Sequence, residues 1–452
     1  MTWAAALVAL VFLLMNPLTA TQGRGVPLFL AKPKSPPPTK SGTMPAKSVK
    51  DFEAGVCVNT HWNFLDTPYN GSYTALKNAL IDLRITCSRA AWSPGESWHT
   101  NRLKDLAASG IKHSMIIDDE FYDDSAEDRA AADADSSGHV WAAEALDYLM
   151  DVAPETVLQL EGPNEELFDS GQCATTLTNT QQVWTAKQAD SRYNGIWFVG
   201  PSAASPTQYA CLGDISGITD AGNIHHYSGD LTPEASENGS ADWRLSGWIS
   251  NVRAAVGPNA PVVSTESGYH TAVNDPDGHR PVSETADGKY MTQLHFAFQR
   301  AGLSRTFKYE LVDEFPNAAK DDLQSNFGLL RNDLSQKPAY VSLNNVMDLL
   351  ADDTQATLIP LDYSVSGAPA TFKQYLLQKS DGTHWLAMWN DISVWNGTTD
   401  LTPSDVNVTL TLGTAKTIKT YRPYTSASAA STTTGTSASV PINADVTLVE
   451  IR

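Results

Sequence analysis

Short apolar runs alternate with amphipathic stretches over much of the chain, and this alternation limits the possible folds more than any other feature of the sequence. Eight such runs lie between Phe52 and Asp352. They are AGVCVNT (54–60), LRITCS (83–88), KHSMIID (112–118), TVLQLEG (156–162), IWFVGPS (196–202), GNIHHYS (222–228), PVVSTES (261–267) and TFKYELV (306–312). The stretches between them, such as SYTALKNALIDL and KYMTQLHFAFQRAG, have helical periodicity, and several end in Gly or Pro. Alternation of this kind predicts β/α units and a mainly parallel sheet.

Eight strand–helix repeats in about 300 residues predict a (β/α)8 TIM barrel over residues 51–352. The alternative is an open, doubly wound sheet. No G-x-G-x-x-G follows the first run, and polar and acidic residues follow many runs instead of clustering at one switch point. Both observations favour the barrel, in which the carboxyl ends of all strands face one pocket.

Residues 353–452 have a different pattern, in which short strands alternate with turns. Asp381-Gly382 lies between two of these strands, where a hairpin turn is expected. The pattern predicts a C-terminal antiparallel β-sandwich domain. The Ser/Thr/Ala-rich segment 425–439 is predicted to be a mobile loop between its last strands.

The N-terminal apolar run, Ala4 to Leu14, is too short to span a bilayer and is followed by Asn16-Pro17. It predicts a signal peptide over residues 1–20, with an uncleaved anchor as the alternative. Residues 21–50 are rich in Pro, Lys and Ser and predict an extended linker. We therefore expect a secreted, extracellular or periplasmic protein.

The cysteines fit the same compartment, because four of them in an oxidising environment are expected to form disulfides. The sequence allows three pairings and also leaves reduced, buried thiols open. The residues are Cys57, Cys87, Cys173 and Cys211.

The formal net charge of −20 disfavours nucleic acid and anionic membranes as partners and favours a neutral substrate. The cysteines show no metal-ligand spacing, and the acidic segment DDEFYDDSAED lacks the glycine and spacing of a calcium loop. We expect no metal, no organic cofactor, and a monomer.

Two of the predicted strands end in a glutamate, Glu165 after the fourth run and Glu266 in the seventh. A barrel brings both to one pocket, and two carboxylates at one pocket are the minimum equipment for hydrolysing a glycosidic bond. Glu161 competes with Glu165, since residues four apart on an extended strand project to the same side. It is more readily explained as an interior acid paired with Arg or Lys. Glu166 is expected to face solvent.

In these residues the chain resembles the retaining glycoside hydrolases of clan A, most closely families 39 and 5. That group shares the barrel, an Asn-Glu pair after the fourth strand and a Glu at the end of the seventh, which Asn164-Glu165 and Glu266 match. The resemblance implies that Glu165 is the acid/base, that Glu266 is the nucleophile and that Asn164 contacts the sugar 2-hydroxyl. The Pro that is common after the Asn-Glu pair is replaced here by Glu166.

The same resemblance implies further residues around the pair. His225 and Tyr227 match the group's His-x-Tyr, and Arg84 resembles its arginine beside the nucleophile, with Arg89 as the substitute if the strand is misplaced. Tyr309 stands where many members carry Trp. The alternatives are structural: hydrogen bonds to the backbone for His225 and Tyr227, and an ion pair for Arg84.

Trp62 and Trp92 fall near predicted loops at the rim, where aromatic rings can stack on sugars, although core packing explains each equally well. The function expected from all these features is retaining hydrolysis of β-glycosidic bonds in an oligo- or polysaccharide, with an internal cut in a neutral polysaccharide or exopolysaccharide and exo-action as the alternative. The alternatives are a carbohydrate-binding barrel without activity, and a transglycosylase or polysaccharide lyase on the same frame.

Overall fold

The computed structural model describes residues 41–92, 96–117, 140–168, 172–275 and 278–452. The predicted signal peptide, most of the predicted linker and the acidic segment DDEFYDDSAED lie outside these ranges. Within them, no helix is both long enough and apolar enough to cross a membrane.

Eight parallel strands form a barrel, which confirms the predicted fold. Neighbouring strands pair in chain order, and the eighth pairs with the first. The ring is completed between the fifth and sixth strands by a parallel bridge from Val199 to Ala221. After two short N-terminal strands, β1 (Ser41–Met44) and β2 (Lys47–Ser48), the barrel strands are β3 (Val56–Asn59), β4 (Cys87–Ala91), β5 (Lys112–Ile116), β6 (Val157–Glu161), β7 (Trp197–Val199), β8 (Gly222–His225), β9 (Val262–Ser267) and β10 (Arg305–Lys308).

Helices surround the barrel, and helices such as Leu245–Val256 bury one apolar face, whereas the helix Glu284–Arg300 is buried on almost all sides between Ala286 and Phe298. Helix ends follow local chemistry: the Ser283 hydroxyl accepts a hydrogen bond from the backbone N–H of Ala286, and Pro338 occupies the first turn of the last helix. The α-helices of the described residues are α1 (Val49–Glu53), α2 (Pro68–Gly71), α3 (Tyr73–Asp82), α4 (Ser97–Ala108), α5 (Val140–Val152), α6 (Cys173–Ala189), α7 (Leu245–Val256), α8 (Glu284–Arg300) and α9 (Pro338–Leu350).

All four cysteines are paired, as expected for an oxidising compartment. Cys57 of β3 bonds to Cys87 of β4, and Cys173 at the start of α6 bonds to Cys211. The first bridge joins two neighbouring barrel strands directly.

The C-terminal residues form a separate, mostly antiparallel sheet that agrees with the predicted β-sandwich. Its path runs β1-β11-β14-β16-β13-β12-β2, with β15 paired to β14. All seven residues of β13 are buried: Leu386 and Met388 contact the sandwich core, whereas Trp385 and Trp389 pack into the barrel's core cluster. The strands are β11 (Leu361–Ser366), β12 (Phe372–Gln378), β13 (His384–Asn390), β14 (Val406–Arg422), β15 (Ser426–Ile442) and β16 (Thr447–Ile451).

The prediction of a mobile loop over residues 425–439 is wrong, because residues 426–439 belong to β15. It pairs antiparallel with β14 along its length, from Arg422 opposite Ser426 to Val406 opposite Ile442. Most of its side chains are exposed, so no apolar alternation marked it as a strand. Its threonines nevertheless suit an exposed, pleated surface.

The last part of the predicted linker is also ordered structure. Residues 41–44 pair with β11, and residues 47–48 pair in parallel with β12. The chain therefore contributes two strands to the C-terminal sheet before it enters the barrel.

Candidate active site

Glu165 and Glu266 meet at the carboxyl end of the barrel. Glu165 lies four residues beyond the end of β6, and Glu266 lies within β9. One carboxylate oxygen of each lies within 4.8 Å of the other and of a His225 ring nitrogen. The structure thus brings together two acids that are 101 residues apart in the sequence.

The backbone of Glu165 has a φ of 54°, in the left-handed region that side chains other than Gly seldom adopt. Its N–H donates to the Ser202 hydroxyl at 3.1 Å, which helps to hold this conformation. A strained backbone at a residue with a functional side chain is common where geometry is tightly set.

A β-bulge in β9 explains how Glu266 and its neighbour Thr265 both face the site. Ile224 of β8 pairs with Ser264, but His225 pairs with Glu266, so Thr265 is an extra residue in the β9 strand. Without the bulge, consecutive side chains would point to opposite faces of the strand.

Arg89 connects the acids of the site. Its Nη1 lies 2.5 Å from an oxygen of Glu266, its Nη2 lies 2.6 Å from Glu161, and the same Nη2 donates to Oδ1 of Asn164 at 2.6 Å. The guanidinium is almost fully buried, and the charges of Glu161 and Glu266 raise its pKa although burial acts in the opposite direction. Arg89 therefore supplies a permanent buried positive charge beside Glu266.

The predicted placement of Arg84 beside the nucleophile is wrong. Strand β4 begins at Cys87, so Arg84 lies in the turn before the strand, at the opposite end of the barrel. It pairs there with Glu53 and Asp353. The substitute, Arg89, occupies the position that the resemblance assigned to Arg84.

Glu161 is fully buried and is surrounded by donors. Beside its ion pair with Arg89, it accepts hydrogen bonds from Ser114 Oγ at 3.0 Å, Thr265 Oγ1 at 2.8 Å and Asn223 Nδ2 at 3.2 Å. It is the interior acid paired with arginine that the sequence suggested. Its oxygens are saturated by protein groups, which leaves Glu165 as the acid that faces the pocket.

Both oxygens of Glu266 receive hydrogen bonds. Arg89 donates to one, and the Tyr227 hydroxyl donates to the other at 2.8 Å. Tyr227 is itself fixed by stacking on His279, at 5.0 Å between ring centroids. Two fixed donors, one of them charged, orient Glu266 and stabilise its ionised form.

His225 joins Glu165 to the interior network. Its Nδ1 lies 2.7 Å from Glu165 Oε1, and its Nε2 lies 2.9 Å from the Thr265 hydroxyl. Because the Thr265 hydroxyl donates to Glu161 or Asn223, its oxygen is available to accept a proton from Nε2. When Nε2 carries a proton, one further proton can lie in the hydrogen bond between Nδ1 and Glu165.

The electrostatics of Glu165 reflect this pairing. Burial raises the pKa of Glu165, but its hydrogen bond with His225, the charge of that ring and the charge of Arg89 together leave the pKa below its usual value.

His225, and not His226, points into the site, as strand alternation predicted. His226 is buried on the other side, where its Nε2 lies 2.9 Å from the carbonyl oxygen of Pro233. Tyr309 borders the site, with its ring 5.6 Å from that of His61 and 5.2 Å from that of Phe327.

Trp62 and Trp92 do not line the pocket. Both rings are almost fully buried, Trp62 against Tyr69 and Tyr73 and Trp92 near Tyr148. The suggestion that they stack on sugar is wrong, because core packing leaves no ring face open to a ligand.

Three side chains that sequence reasoning did not single out complete the network: Ser114, Asn223 and Thr265. All three bond to Glu161. Alternation offered a signal for Asn223, which lies two residues before His225 and shares its face of the strand. Thr265 carried no such signal, since its orientation depends on the bulge.

Among the residues that the structure describes, two groups of side chains have the composition and spacing to hold a metal ion: Glu165 with His225 and Glu266, and His61 with Glu310 and Glu314. In the first group Glu165 hydrogen-bonds to His225, and the oxygens of Glu266 already accept hydrogen bonds from Arg89 and Tyr227.

Solved structures of similar fold were found, although at low sequence identity. The chain matches the GH39 enzyme from Xanthomonas axonopodis pv. citri with a TM-score of 0.55 and 13% identity, covering 90% of this chain and 95% of that one. It matches a glucosidase from Croceicoccus marinus with a TM-score of 0.58 and 12% identity, covering 91% and 98%. No family model matches the chain. No curated protein matches it either. The likeness therefore concerns the fold, including the C-terminal sheet.

Proposed function

We propose that this chain is a secreted retaining glycosidase that hydrolyses β-glycosidic bonds by double displacement. The observation that carries the proposal is that one carboxylate oxygen of Glu165 lies within 4.8 Å of one of Glu266. Retaining enzymes place their two carboxyl groups about 5 to 5.5 Å apart, whereas inverting enzymes need about 6.5 to 9.5 Å to admit a water molecule. Both similar structures, a GH39 enzyme and a glucosidase, are consistent with this chemistry.

The two acids have environments suited to different roles. Glu266, held by Arg89 and Tyr227, is the nucleophile, because both donors stabilise the charged carboxylate. In the first step Glu266 attacks the anomeric carbon while the leaving oxygen takes a proton from Glu165. In the second step Glu165 removes a proton from water while the water oxygen attacks the anomeric carbon; the bond from that carbon to Glu266 breaks, which releases the sugar and restores the carboxylate of Glu266.

His225 supports the acid/base role of Glu165. The pair shares one proton, so His225 can return a proton to Glu165 when the leaving oxygen approaches. Asn164, fixed by Arg89, is assigned to the sugar 2-hydroxyl, and Tyr309 to the wall of the pocket.

The substrate class rests on charge and on the expected localisation. A net charge of −20 disfavours polyanionic glycans, so we propose a neutral β-linked polysaccharide or oligosaccharide, cut internally. The disulfides are consistent with an extracellular or periplasmic site of action.

A 2-deoxy-2-fluoro glycoside with a good leaving group tests the proposal directly. Such a reagent slows both steps but traps the glycosyl-enzyme, so peptide mass spectrometry should find the label on Glu266. A panel of sugar types is needed, with Glu266→Gln as the unlabelled control. A label on another residue, or inversion of configuration detected by NMR of the first product, would refute double displacement through Glu266.

A further inference from the structure

Beside the catalytic pair lies a second group of acids, which forms no ion pair with Lys or Arg in the described part of the chain. Glu310 lies two residues beyond the end of β10, Glu314 lies four residues further along, and His61 lies two residues beyond the end of β3. Strands β3 and β10 are paired neighbours, so the fold places these three side chains together at the rim. This cluster is referred to below as the rim triad.

The carboxylates of the rim triad are buried and partly unsatisfied. Oε1 of Glu310 and Oε1 of Glu314 are both inaccessible and have no hydrogen-bond partner in the described part of the chain. Glu310 is 0% exposed and Glu314 is 8% exposed. An unpartnered buried carboxylate oxygen is costly, so each of these atoms indicates a missing ligand.

No basic side chain supplies the missing charge. Within the described ranges, neither carboxylate forms an ion pair with Lys or Arg, and their only charge contacts are with His61. Lys308, the nearest lysine on β10, is occupied by the carbonyl oxygens of Tyr269, Tyr309 and Phe327. Two acids thus share a buried site that lacks a positive charge.

The geometry suits a metal ion better than a hydrogen bond. His61 Nε2 lies 3.7 Å from Glu310 Oε2, and His61 Nδ1 lies 3.8 Å from Glu314 Oε1, both beyond hydrogen-bonding distance. One donor atom from each residue lies within 4.8 Å of the other two. Ligands about 2.0 to 2.2 Å from a tetrahedral ion lie about 3.3 to 3.6 Å apart, so side-chain rotations that draw the three donor atoms together by about 1 Å would complete the site.

Glu310 is also held as metal-ligating carboxylates commonly are. The Tyr69 hydroxyl donates to its Oε2 at 2.8 Å, the same oxygen that lies 3.7 Å from His61, while Oε1 has no hydrogen-bond partner among the described residues. A hydrogen bond of this kind orients a ligand before the ion arrives.

We propose that His61, Glu310 and Glu314 bind one divalent transition-metal cation. One imidazole nitrogen with two carboxylates is a mixed N/O donor set that suits Zn2+ or Mn2+, whereas Ca2+ and Mg2+ prefer oxygen alone. The two carboxylates would balance the charge of the ion, and water would fill the remaining positions. The bound ion ties the segments after β3 and β10 together at the edge of the pocket.

The proposal does not depend on glycosidase activity and is tested by binding. The full chain, stripped with EDTA and dialysed, is titrated with ZnCl2 and separately with MnCl2 in a calorimeter. We expect one equivalent of at least one ion to bind and the melting temperature to rise by a few degrees at saturation. Glu310→Gln and Glu314→Gln should each weaken binding at least tenfold.

Two matched variants serve as controls. Glu237→Gln alters another histidine–carboxylate contact, that with His279, and should leave binding unchanged. Glu165→Gln alters the other candidate group and should also leave it unchanged. Loss of binding in Glu165→Gln with retention in Glu310→Gln would overturn the proposal, as would the absence of binding by the folded wild type up to about 1 mM of either ion.

A structural measurement covers the case in which the glutamine variants do not fold. Wild-type crystals soaked in MnCl2 should give an anomalous peak in contact with His61, Glu310 and Glu314. A peak at any other position, or none at this one, would contradict the assignment.

Discussion

Arg89→Met is expected to destabilise the protein far more than Arg84→Met, although both arginines form two ion pairs. The guanidinium of Arg89 lies 2.6 Å from Glu161, which is 0% exposed, and 2.5 Å from Glu266. Without the guanidinium of Arg89, the buried carboxylate of Glu161 accepts hydrogen bonds only from the uncharged side chains of Ser114, Asn223 and Thr265. Removing one partner of a buried pair costs about 3 to 5 kcal/mol, and the remaining donors place the expected loss near the lower value, about 3 kcal/mol.

Arg84 supplies the matched control. Its partners, Glu53 and Asp353, have side chains 12% and 94% exposed, and its own is 32% exposed. Pairs in such surroundings contribute about 0 to 1 kcal/mol, so Arg84→Met should lie within about 1 kcal/mol of the wild type. Glycosidase activity should be lost in Arg89→Met and retained in Arg84→Met.

Urea unfolding, followed by tryptophan fluorescence and far-ultraviolet circular dichroism, measures the difference. A double-mutant cycle with Glu161→Gln isolates the pair: the loss in the double variant should be about 2 kcal/mol smaller than the sum of the single losses. Equal destabilisation by the two Met variants, or additive losses in the cycle, would refute the view that Arg89 compensates a buried charge.

Three further predictions concern protons. Glu165→Gln should reduce kcat on natural glycans by about 100-fold to 10,000-fold but spare the glycosylation step of dinitrophenyl glycosides; similar losses on both would exclude Glu165 as the acid. Thr265→Val removes the hydroxyl between Glu161 and His225, so it should shift the pH profile of kcat/KM while leaving the unfolding free energy within about 2 kcal/mol of the wild type. An unchanged profile would contradict the proposal that His225 passes a proton to Glu165. Burial raises the pKa of Asp287 to about 6, so its ionisation costs stability as the pH rises from about 4 to about 6. In Asp287→Asn the unfolding free energy should fall less between about pH 4 and pH 6, by at most about 3 kcal/mol, and urea titrations at several pH values measure this. An unchanged slope would show that Asp287 does not cause the loss of stability.

The barrel could be predicted from the sequence because its signal is repeated. Each strand is a short apolar run, and a misplaced boundary in one run does not alter the count. The same repetition placed Glu165, His225 and Tyr227 at strand ends, where all carboxyl ends share one pocket.

The error at Arg84 shows the limit of that signal. In LRITCS the apolar residues Leu83 and Ile85 are buried, but in the turn after α3 and not in the strand. An apolar run reports burial and not backbone conformation, so the strand was placed several residues too early and the wrong arginine was assigned. The prediction that Trp62 and Trp92 stack on sugar was wrong for a related reason, because an aromatic ring that can stack on sugar packs equally well in a core.

The prediction of a loop in place of β15 was wrong for the opposite reason. A strand paired on one side and largely exposed on both faces buries little apolar surface, so its sequence resembles that of a loop. Its conformation is set by hairpin pairing with the preceding strand β14, which composition does not record.

The division of roles between Glu161 and Glu165 depends on backbone details of the same kind. Four residues apart on a continued strand, the two acids would project to one side, about 13 Å from each other along the strand. Instead β6 ends at Glu161, and the chain turns so that Glu165 adopts a φ of 54°. Glu161 is left in the barrel interior beside Arg89, and Glu165 reaches His225 at the pocket. The bulge at Thr265 acts in the same way on the partner strand, because one extra residue turns both Thr265 and Glu266 inward. The pair of carboxylates therefore depends on two local departures from regular strand geometry, and substitutions that restore regularity at either point should separate the acids without unfolding the barrel.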